Sequence, residues 1–353
     1  MNVLLLTDKL IHGGAENYFC RLENELHNSD FRIYTAAGPG ELFSQIKYKE
    51  NFHSMSRTNH LKNIWDIRRL IEKHRIDVIH ANSLRMVLYL CFIKLLSMKE
   101  KSFKIIYTKH NVTVLEKSPA LFSHLVNRYV DRIIAVSQFE RENLIRTGVK
   151  ASKVTTVYNG VDLEKFHFRK KAKREHYKVG ILARLSEEKN HGLFLQIAND
   201  LRDIHNLMFY IAGDGPEREE IIKQIESLDL GDKVVLVGNT AHPEQFIEEM
   251  DLLLLTSKRE VFPMVMLEAM AVGTPLLTID VGGVKEAIIN NETGFLVQQY
   301  YAHHFCSVIR RLVEDREISS RLIQQARRKV EEEFSMETMV DRTLNEYIGL
   351  SHS

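Results

Sequence analysis

Short apolar runs alternate with longer amphipathic segments along most of the chain. The runs are rich in Val, Ile and Leu and have the length of strands that are buried on both faces. The segments between them show the apolar spacing of helices, and this alternation is typical of βαβ units and a parallel sheet. The predicted strands are Val3–Thr7, Arg32–Ala36, Val78–Ala81, Ile105–Thr108, Ile133–Val136, Val154–Val157, Val179–Leu182, Leu207–Ala212, Val234–Val237, Leu252–Thr256, Leu276–Thr278 and Phe295–Val297.

The pattern occurs twice, with the basic stretch Arg169–Arg174 between its two runs. A chain of 353 residues also fits two domains better than one. We therefore predict an α/β fold with two doubly wound domains, residues 1–165 and 166–335, and a cleft between them. The sequence from Ala302 to Tyr347 is predicted to be entirely helical.

The charge is distributed unevenly between these two domains. The whole chain has a net charge of +1, but residues 1–165 contain 25 Lys and Arg against 17 Asp and Glu. Residues 166–353 contain 23 against 30. This asymmetry indicates that the first domain faces an anionic surface. A nucleic acid is not the predicted partner, because the basic half has no basic motif interleaved with aromatic residues.

Several other classes of protein are excluded by composition. The three cysteines are far apart in the sequence, which excludes a disulfide framework and a zinc ribbon. The segment Met1–Asp8 lacks the features of a secretory signal, so we expect the protein to stay in the cytoplasm. The apolar stretch Met86–Leu96 is too short to span a membrane. Its basic surroundings, Lys99, Lys101 and Lys104 among them, predict peripheral contact with an anionic membrane at the inner face of the plasma membrane.

Ligands of doubly wound sheets bind in the loops that follow the strands. Gly13-Gly14 follows the first strand and either presents backbone N–H groups to an anion or simply makes a tight turn. Arg184 and Lys189 follow the strand Val179–Leu182. They are either solvated surface charges or a pair that neutralises a diphosphate without a metal ion. The absence of a G-x-G-x-x-G fingerprint, a P-loop and a D-x-D pair argues against kinases, ATPases and metal-dependent nucleotide transferases.

The most informative segment is Ser257–Ala271, where seven residues separate Glu260 from Glu268. The N–H groups of Met264 and Val265 lie where a helix begins and can bind an anion. Glu268, one turn into that helix, can accept two hydroxyl hydrogen bonds. Such a pair of carboxylates suits a sugar ring and a ribose, whereas the simpler interpretation is a helix with one exposed glutamate.

Taken together, the glycine turns and the charged residues resemble the family 4 retaining glycosyltransferases of the GT-B fold. The resemblance implies two Rossmann-like domains and a C-terminal helix, residues 336–353, that crosses back to pack on the first domain. It also implies a nucleotide-diphosphate sugar as donor, a glycan or lipid-linked acceptor, no metal and no cofactor. The segments that carry it are His12–Glu16, Asn159–Asp162, Arg184 with Lys189, Gly213–Pro216, Glu260–Ala271, Gly273–Pro275 and Gly294–Val297.

The resemblance also assigns roles in donor binding to residues of the second domain. By this resemblance, Glu268 holds the ribose hydroxyls and Glu260 holds the hydroxyls of the donor sugar. Arg184 and Lys189 bind the diphosphate, beside the N–H groups of the helix that carries Glu268.

In the first domain, the resemblance places Gly14 near the diphosphate and His110 near the donor sugar. His110 would hydrogen-bond the sugar and stabilise the positive charge that develops on it. His110 and Glu260 are therefore the predicted catalytic residues, and the predicted reaction is transfer of a hexosyl unit with net retention of configuration.

Two departures from the family pattern leave alternatives open. Val261 and Ala183 stand where the family usually has glycine, which puts donor preference and activity in question. The alternative function is a catalytically degenerate subunit that binds a nucleotide sugar, or a partner protein of a glycan-assembly complex. A sugar-nucleotide epimerase finds less support, because the first half lacks a clear acid–base pair of carboxylates.

Overall fold

The computed structural model describes residues 1–11, 13–26, 31–96, 103–110, 118–169, 175–315 and 317–351. His12, Lys99, Lys101 and most of the basic stretch at 169–174 lie outside the described residues. The chain forms two compact units. The first unit contains Met1–Asn159 and the C-terminal segment that begins at Glu337, and the second contains Gly160–Met336. The last helix of the chain thus belongs to the first unit.

The first unit is built on a seven-stranded parallel sheet in the order β3-β2-β1-β4-β5-β6-β7. Its central strands are buried, as their Val, Ile and Leu content predicts. The third strand was not predicted, because it has only three residues and no apolar run. The strands are β1 Asn2–Leu6, β2 Arg32–Ala37, β3 Phe52–Ser54, β4 Val78–Ala81, β5 Lys104–Lys109, β6 Arg132–Ala135 and β7 Val154–Thr156.

The helices of this unit are α1 Gly14–Glu25, α2 His60–His74, α3 Leu84–Leu96, α4 Pro119–Tyr129, α5 Gln138–Arg146 and the C-terminal α13 Met336–Ser351. Right-handed crossovers put α2, α3, α4 and α5 on one face of the sheet, because each leads to a strand further along in the same direction. The helix α1 leads in the opposite direction and so lies on the other face. Within the layer, α3 packs against both α2 and α4.

The second unit is built on a six-stranded parallel sheet in the order β10-β9-β8-β11-β12-β13. The central strands β8 and β11 are hydrogen-bonded to each other, so the loops that follow them emerge side by side. The strands are β8 Tyr177–Leu182, β9 Leu207–Ala212, β10 Val234–Gly238, β11 Leu252–Leu255, β12 Leu276–Ile279 and β13 Phe295–Val297. The two sheets confirm the predicted α/β fold of two doubly wound, Rossmann-like domains.

The helices of the second unit are α6 His191–Asp200, α7 Arg218–Ser227, α8 Pro243–Glu249, α9 Met264–Val272, α10 Val284–Ala287, α11 Ala302–Glu314 and α12 Ile318–Glu333. Helices α11, α12 and α13 cover most of the segment Ala302–Tyr347, which was predicted to be entirely helical, but the chain leaves the helix between Glu333 and Met336. The helix α12 ends where Val161 donates its N–H to Phe334 and pairs with the buried Ser335. Pairing with a distant segment of the chain interrupts the helix there. No helix in the described ranges is both long and apolar enough to cross a bilayer.

Candidate functional site

The loop after β8 carries the two cations that were predicted to bind a diphosphate. Two glycines of the neighbouring turn hold this loop in place. A Cβ at Gly213, whose φ is +136°, would lie within 2 Å of the Ala183 carbonyl oxygen, at 1.9 Å. A Cβ at Gly215 would lie 2.4 Å from the Leu185 carbonyl oxygen. The turn therefore approaches the loop more closely than any residue with a side chain would allow.

The same loop is tied to the loop that follows β11. Thr256 donates its hydroxyl to the Lys189 carbonyl at 3.0 Å, and the Lys258 amide donates to the Glu188 carbonyl at 2.8 Å. These bonds keep Lys189 at the edge of the sheet where the central strands end. Arg184 is exposed and forms no ion pair within the described part of the chain.

Lys189 and Glu260 form an ion pair, with 2.7 Å between Nζ and Oε1. The Glu260 side chain is only 9% exposed and that of Lys189 is 24% exposed. The sequence assigned these two residues to different parts of a donor, and the structure brings them into direct contact. An ammonium group has three N–H donors, so Lys189 retains donors for an anion while it contacts Glu260.

A pair of glycines that the sequence analysis did not single out fixes the backbone of Glu260. A Cβ at Gly282, where φ is +61°, would lie 1.7 Å from the Glu260 carbonyl oxygen. The next amide, that of Gly283, donates to the Val261 carbonyl at 3.0 Å. Paired glycines in the loop after a strand were the available signal, the same signal that drew attention to Gly13-Gly14. Val261 itself does not have a positive φ, so its side chain imposes no backbone strain here.

The helix α9 begins directly after this loop, with Pro263 as its N-cap and no side-chain cap. The first-turn amides of Met264 and Val265 have no intrahelical acceptor, and no hydrogen-bond partner for them occurs among the described residues. Both residues are half-buried. Glu268 is half-buried, lies one turn later on the same face as Met264, and is the one charged residue of the helix. The helix thus presents two N–H groups at its N-terminus and a carboxylate one turn later.

In the first unit, Gly14 is the first residue of α1, directly after its N-cap Gly13. A Cβ at Gly13 would lie 2.3 Å from the Glu16 carboxylate, which is the end of a flexible side chain and can move away, so this position tolerates other residues. Burial raises the pKa of Glu16 above its usual value. The N-terminus of α1 lies at the edge of the sheet where the strands end.

His110 follows β5 directly and is half-buried as a residue. Its ring packs edge-on against Tyr18 of α1, with 4.6 Å between centroids. The Nε2 atom is enclosed, and it has no hydrogen-bond partner among the described residues. Burial lowers the pKa of His110 to about 3, so the imidazole is neutral near pH 7.

Beneath His110 lies a buried polar network that sequence reasoning missed. His80 of β4 is fully buried, with Nδ1 2.6 Å from the hydroxyl of Tyr347 in α13 and Nε2 hydrogen-bonded to the hydroxyl of Thr108. Tyr18 reaches the same Thr108 hydroxyl at 3.5 Å. Burial, and secondarily the nearby His110, lower the pKa of His80 to about 3. A histidine inside the apolar strand Val78–Ala81 was the signal in the sequence.

The structure thus groups the predicted site residues in two sets. The second unit brings together six of them at the ends of β8 and β11: Arg184, Lys189, Glu260, Met264, Val265 and Glu268. The first unit holds Gly14 and His110 at the ends of β1 and β5, linked through Tyr18 of α1.

Two family models match adjoining parts of the chain. The model described as Glycosyltransferase Family 4 matches residues 12–165, and the model described as Glycosyl transferases group 1 matches residues 162–329. Together they cover residues 12–329, which contain every strand of the two sheets except β1.

Similar proteins have been named in bacteria. The chain is 25% identical over 289 residues to N-acetyl-alpha-D-glucosaminyl L-malate synthase of Bacillus anthracis, and the match covers 77% of this chain and 74% of that protein. It is 29% identical over 213 residues to the amylovoran biosynthesis glycosyltransferase AmsK of Erwinia amylovora, and the match covers 58% of this chain and 52% of AmsK. The crystal structure of Anabaena HepE in complex with UDP-glucose superposes with a TM-score of 0.84 at 20% identity, over 98% of this chain and 100% of HepE.

Proposed function

The chain belongs to the family 4 glycosyltransferases of the GT-B fold, and we propose that it transfers a hexosyl unit from a nucleotide-diphosphate sugar to a cell-surface glycan or a lipid-linked acceptor. The proposed reaction proceeds with net retention at the anomeric carbon and without a metal ion. The proposed location is the cytoplasm, peripherally at the inner face of the plasma membrane.

The grouping of Lys189, Glu260 and the start of α9 at one edge of the second sheet carries this proposal. A nucleotide-diphosphate sugar has a ribose, two phosphates and a second sugar in sequence. Its binding site therefore needs a hydrogen-bond acceptor for the ribose hydroxyls, a cationic group for the phosphates and another hydrogen-bond acceptor for the hydroxyls of the second sugar. Glu268 supplies the first, and Glu260 supplies the last. The ammonium of Lys189, which contacts Glu260, and the uncapped N-terminus of α9, where the helix dipole favours an anion, supply the positive charge.

In the overall reaction that we propose, the bond between the anomeric carbon and the terminal phosphate oxygen breaks, a bond from that carbon to the acceptor hydroxyl oxygen forms, and the hydroxyl proton leaves with the diphosphate. Negative charge grows on the departing diphosphate while positive charge grows on the sugar ring. Arg184, Lys189 and the α9 amides stabilise the diphosphate more strongly as its charge grows, which is why they accelerate the reaction as well as bind the donor.

From the first unit we propose His110 as the residue that hydrogen-bonds the donor sugar, with Gly14 near the diphosphate. The low pKa of His110 supports this role, because a neutral imidazole does not repel the positive charge that develops on the ring. The partnerless Nε2 is the atom that we assign to the sugar.

The names of the similar proteins guide the choice of substrates. HepE was crystallised with UDP-glucose, and AmsK is named for the biosynthesis of amylovoran. UDP-glucose is therefore the first donor to test, within a panel of nucleotide sugars. Val261 lies beside Glu260 in the donor loop and bears on which sugar is accepted.

The test measures binding and turnover with the full chain. Thermal unfolding is followed with each nucleotide sugar, because a ligand at about 100 times its Kd stabilises a protein by about 2.7 kcal/mol. Nucleotide release is then measured with the best donor, with and without EDTA. Stabilisation by no nucleotide sugar would refute the donor assignment, and release that requires added metal would refute the metal-free reaction. Binding without release would identify a nucleotide-sugar-binding subunit instead.

The variant Glu268→Ala tests the site itself. Hydrogen bonds to a charged group contribute about 1.5–3 kcal/mol each, so donor affinity should fall by at least about tenfold. The matched control is Glu219→Ala, an exposed glutamate of α7 in the same unit. Equal affinities of the two variants would contradict the assignment of Glu268 to the ribose.

A further inference from the structure

The helices α2, α3 and α4 expose large apolar side chains on the outer surface of the first unit. Leu61 and Trp65 of α2 are 72% and 74% exposed, and Leu95 of α3 is 64% exposed. We call the following set the apolar face: Leu61, Trp65, Leu88, Phe92, Leu95 and Leu121. Such a cluster of exposed apolar side chains marks an interaction surface, whereas single exposed apolar residues need no explanation.

The three helices that carry the apolar face lie side by side, because α3 packs against both α2 and α4. The start of α2 is joined to the middle of α3 by a hydrogen bond of 2.6 Å between His60 Nδ1 and the Tyr89 hydroxyl. Leu61 and Leu88 are the chain neighbours of these two residues. On α3 the exposed residues Arg85, Leu88 and Phe92 follow helical spacing, so they form one outward stripe.

Cations adjoin the apolar residues in a regular arrangement. On α2, Leu61, Trp65, Arg69 and Lys73 occur at intervals of four residues and so form one row along the helix, all of them exposed. Lys62 lies next to Leu61. None of these three cations forms an ion pair with a residue that the structure describes. The row therefore presents apolar side chains at one end of the helix and unneutralised positive charge at the other.

We propose that this face docks the first unit on an anionic lipid bilayer, with Trp65 and Leu61 inserted among the headgroups and Arg69 and Lys73 against lipid phosphates. Amphipathic helices with Trp and Leu on one side and Lys and Arg beside them bind lipid in this way. The charge excess of residues 1–165 is complementary to an anionic surface. A second copy of the chain would bring the same cations together, which disfavours self-association through this face.

The face also has a position that serves the reaction. The first turns of α2 follow β3, so Leu61 and Trp65 lie toward the edge of the sheet where the strands end. Gly14 and His110 lie at the same edge. Docking through Trp65 thus brings that edge close to the bilayer, where a lipid-linked acceptor resides. Docking through this face deepens the peripheral membrane location proposed above, and this last step also rests on the proposed transfer reaction.

The chain contains a single tryptophan, Trp65, so its fluorescence reports on the face directly. The experiment adds vesicles of phosphatidylcholine, with or without phosphatidylglycerol, to the full chain at low and at high salt. We expect a blue shift of Trp65 emission and co-sedimentation with the anionic vesicles, both weakened at high salt. No shift with anionic vesicles at low salt would overturn the proposal. A shift that depends on protein concentration without lipid would overturn it in favour of self-association.

Two variants test the apolar and the charged parts of the face separately. Leu61→Ser/Trp65→Ser should reduce co-sedimentation by at least about tenfold, because buried apolar side chains supply that much binding. Arg69→Glu/Lys73→Glu should reduce it by at least about 25-fold, about fivefold for each lost cation. Circular dichroism should show both variants folded, since all four side chains are exposed.

The matched control for charge is Arg146→Glu/Lys150→Glu, which makes the same change of charge at exposed positions of the same unit. We expect it to bind vesicles nearly as well as the parent chain. Equal loss in the control would show a general electrostatic attraction and refute the specific face. Nucleotide release without lipid is measured in parallel, so failure of donor chemistry and failure of docking are distinguished.

Discussion

The buried His80 should make the first unit sensitive to acid. In the folded protein burial keeps the pKa of His80 near 3, whereas an unfolded histidine titrates near its ordinary value of 6.5. Between these values the unfolded chain binds a proton that the folded chain does not. The contribution of His80 to stability is therefore complete above about pH 6.5 and is lost progressively as the pH falls toward 3.

The size of this effect follows from the two pKa values. Each pH unit within the window changes the free energy of unfolding by about 1.36 kcal/mol for one proton. From the unfolded pKa of 6.5 to pH 5 the loss attributable to His80 is therefore about 2 kcal/mol. The variant His80→Gln removes the titrating group, and its amide can still donate to one of the hydroxyls of Tyr347 and Thr108 and accept from the other.

Hydrogen exchange of the amides in β4 and β5, corrected for the intrinsic rate, measures the free energy of opening of this unit. Between about pH 7.5 and about pH 5, this free energy should fall by about 2 kcal/mol less in His80→Gln than in the parent chain. His124→Gln, at an exposed position of α4, is the control and should show the parent pH dependence. Identical pH dependence in His80→Gln and the parent would refute the reasoning.

Two further predictions concern tightly packed positions. Gly282→Ala should destabilise the second unit by at least about 1 kcal/mol and lower turnover, because the φ of Gly282 is +61° and an added Cβ would meet the Glu260 carbonyl. The control is Gly231→Ala, where the space around an added Cβ is open. Calorimetry compares the two variants, and similar melting temperatures would contradict this prediction. Glu140→Gln should cost about 3–5 kcal/mol, because it removes the carboxylate that pairs with the buried ammonium of Lys109. Urea unfolding should show Lys109→Met/Glu140→Leu to be more stable than Glu140→Gln, and the opposite order would exclude this account.

The sequence by itself determined the architecture, because strand and helix patterns are local. The strands β1 and β4, for example, are covered on both faces of the sheet. Strands of this kind consist mainly of apolar residues, and such runs can be recognised in the sequence. The short β3 has no such signature. The end of α12 at Phe334 depends on pairing with Val161, so no local pattern could predict it.

The candidate site also has features that the sequence predicts and features that only the tertiary structure determines. Arg184, Lys189, Glu260 and Glu268 could be found from the sequence, because loops that follow strands converge at one edge of a parallel sheet. Their order along the chain also matches a family pattern.

Only the tertiary structure decided which groups touch one another. The Lys189–Glu260 ion pair joins residues 71 positions apart, and the His80–Tyr347 hydrogen bond joins residues 267 positions apart. The approach of Gly282 to Glu260 is likewise a contact between two loops. Local propensity carries no information about such contacts, because they depend on how distant segments pack and on which polar groups must find partners once water is excluded.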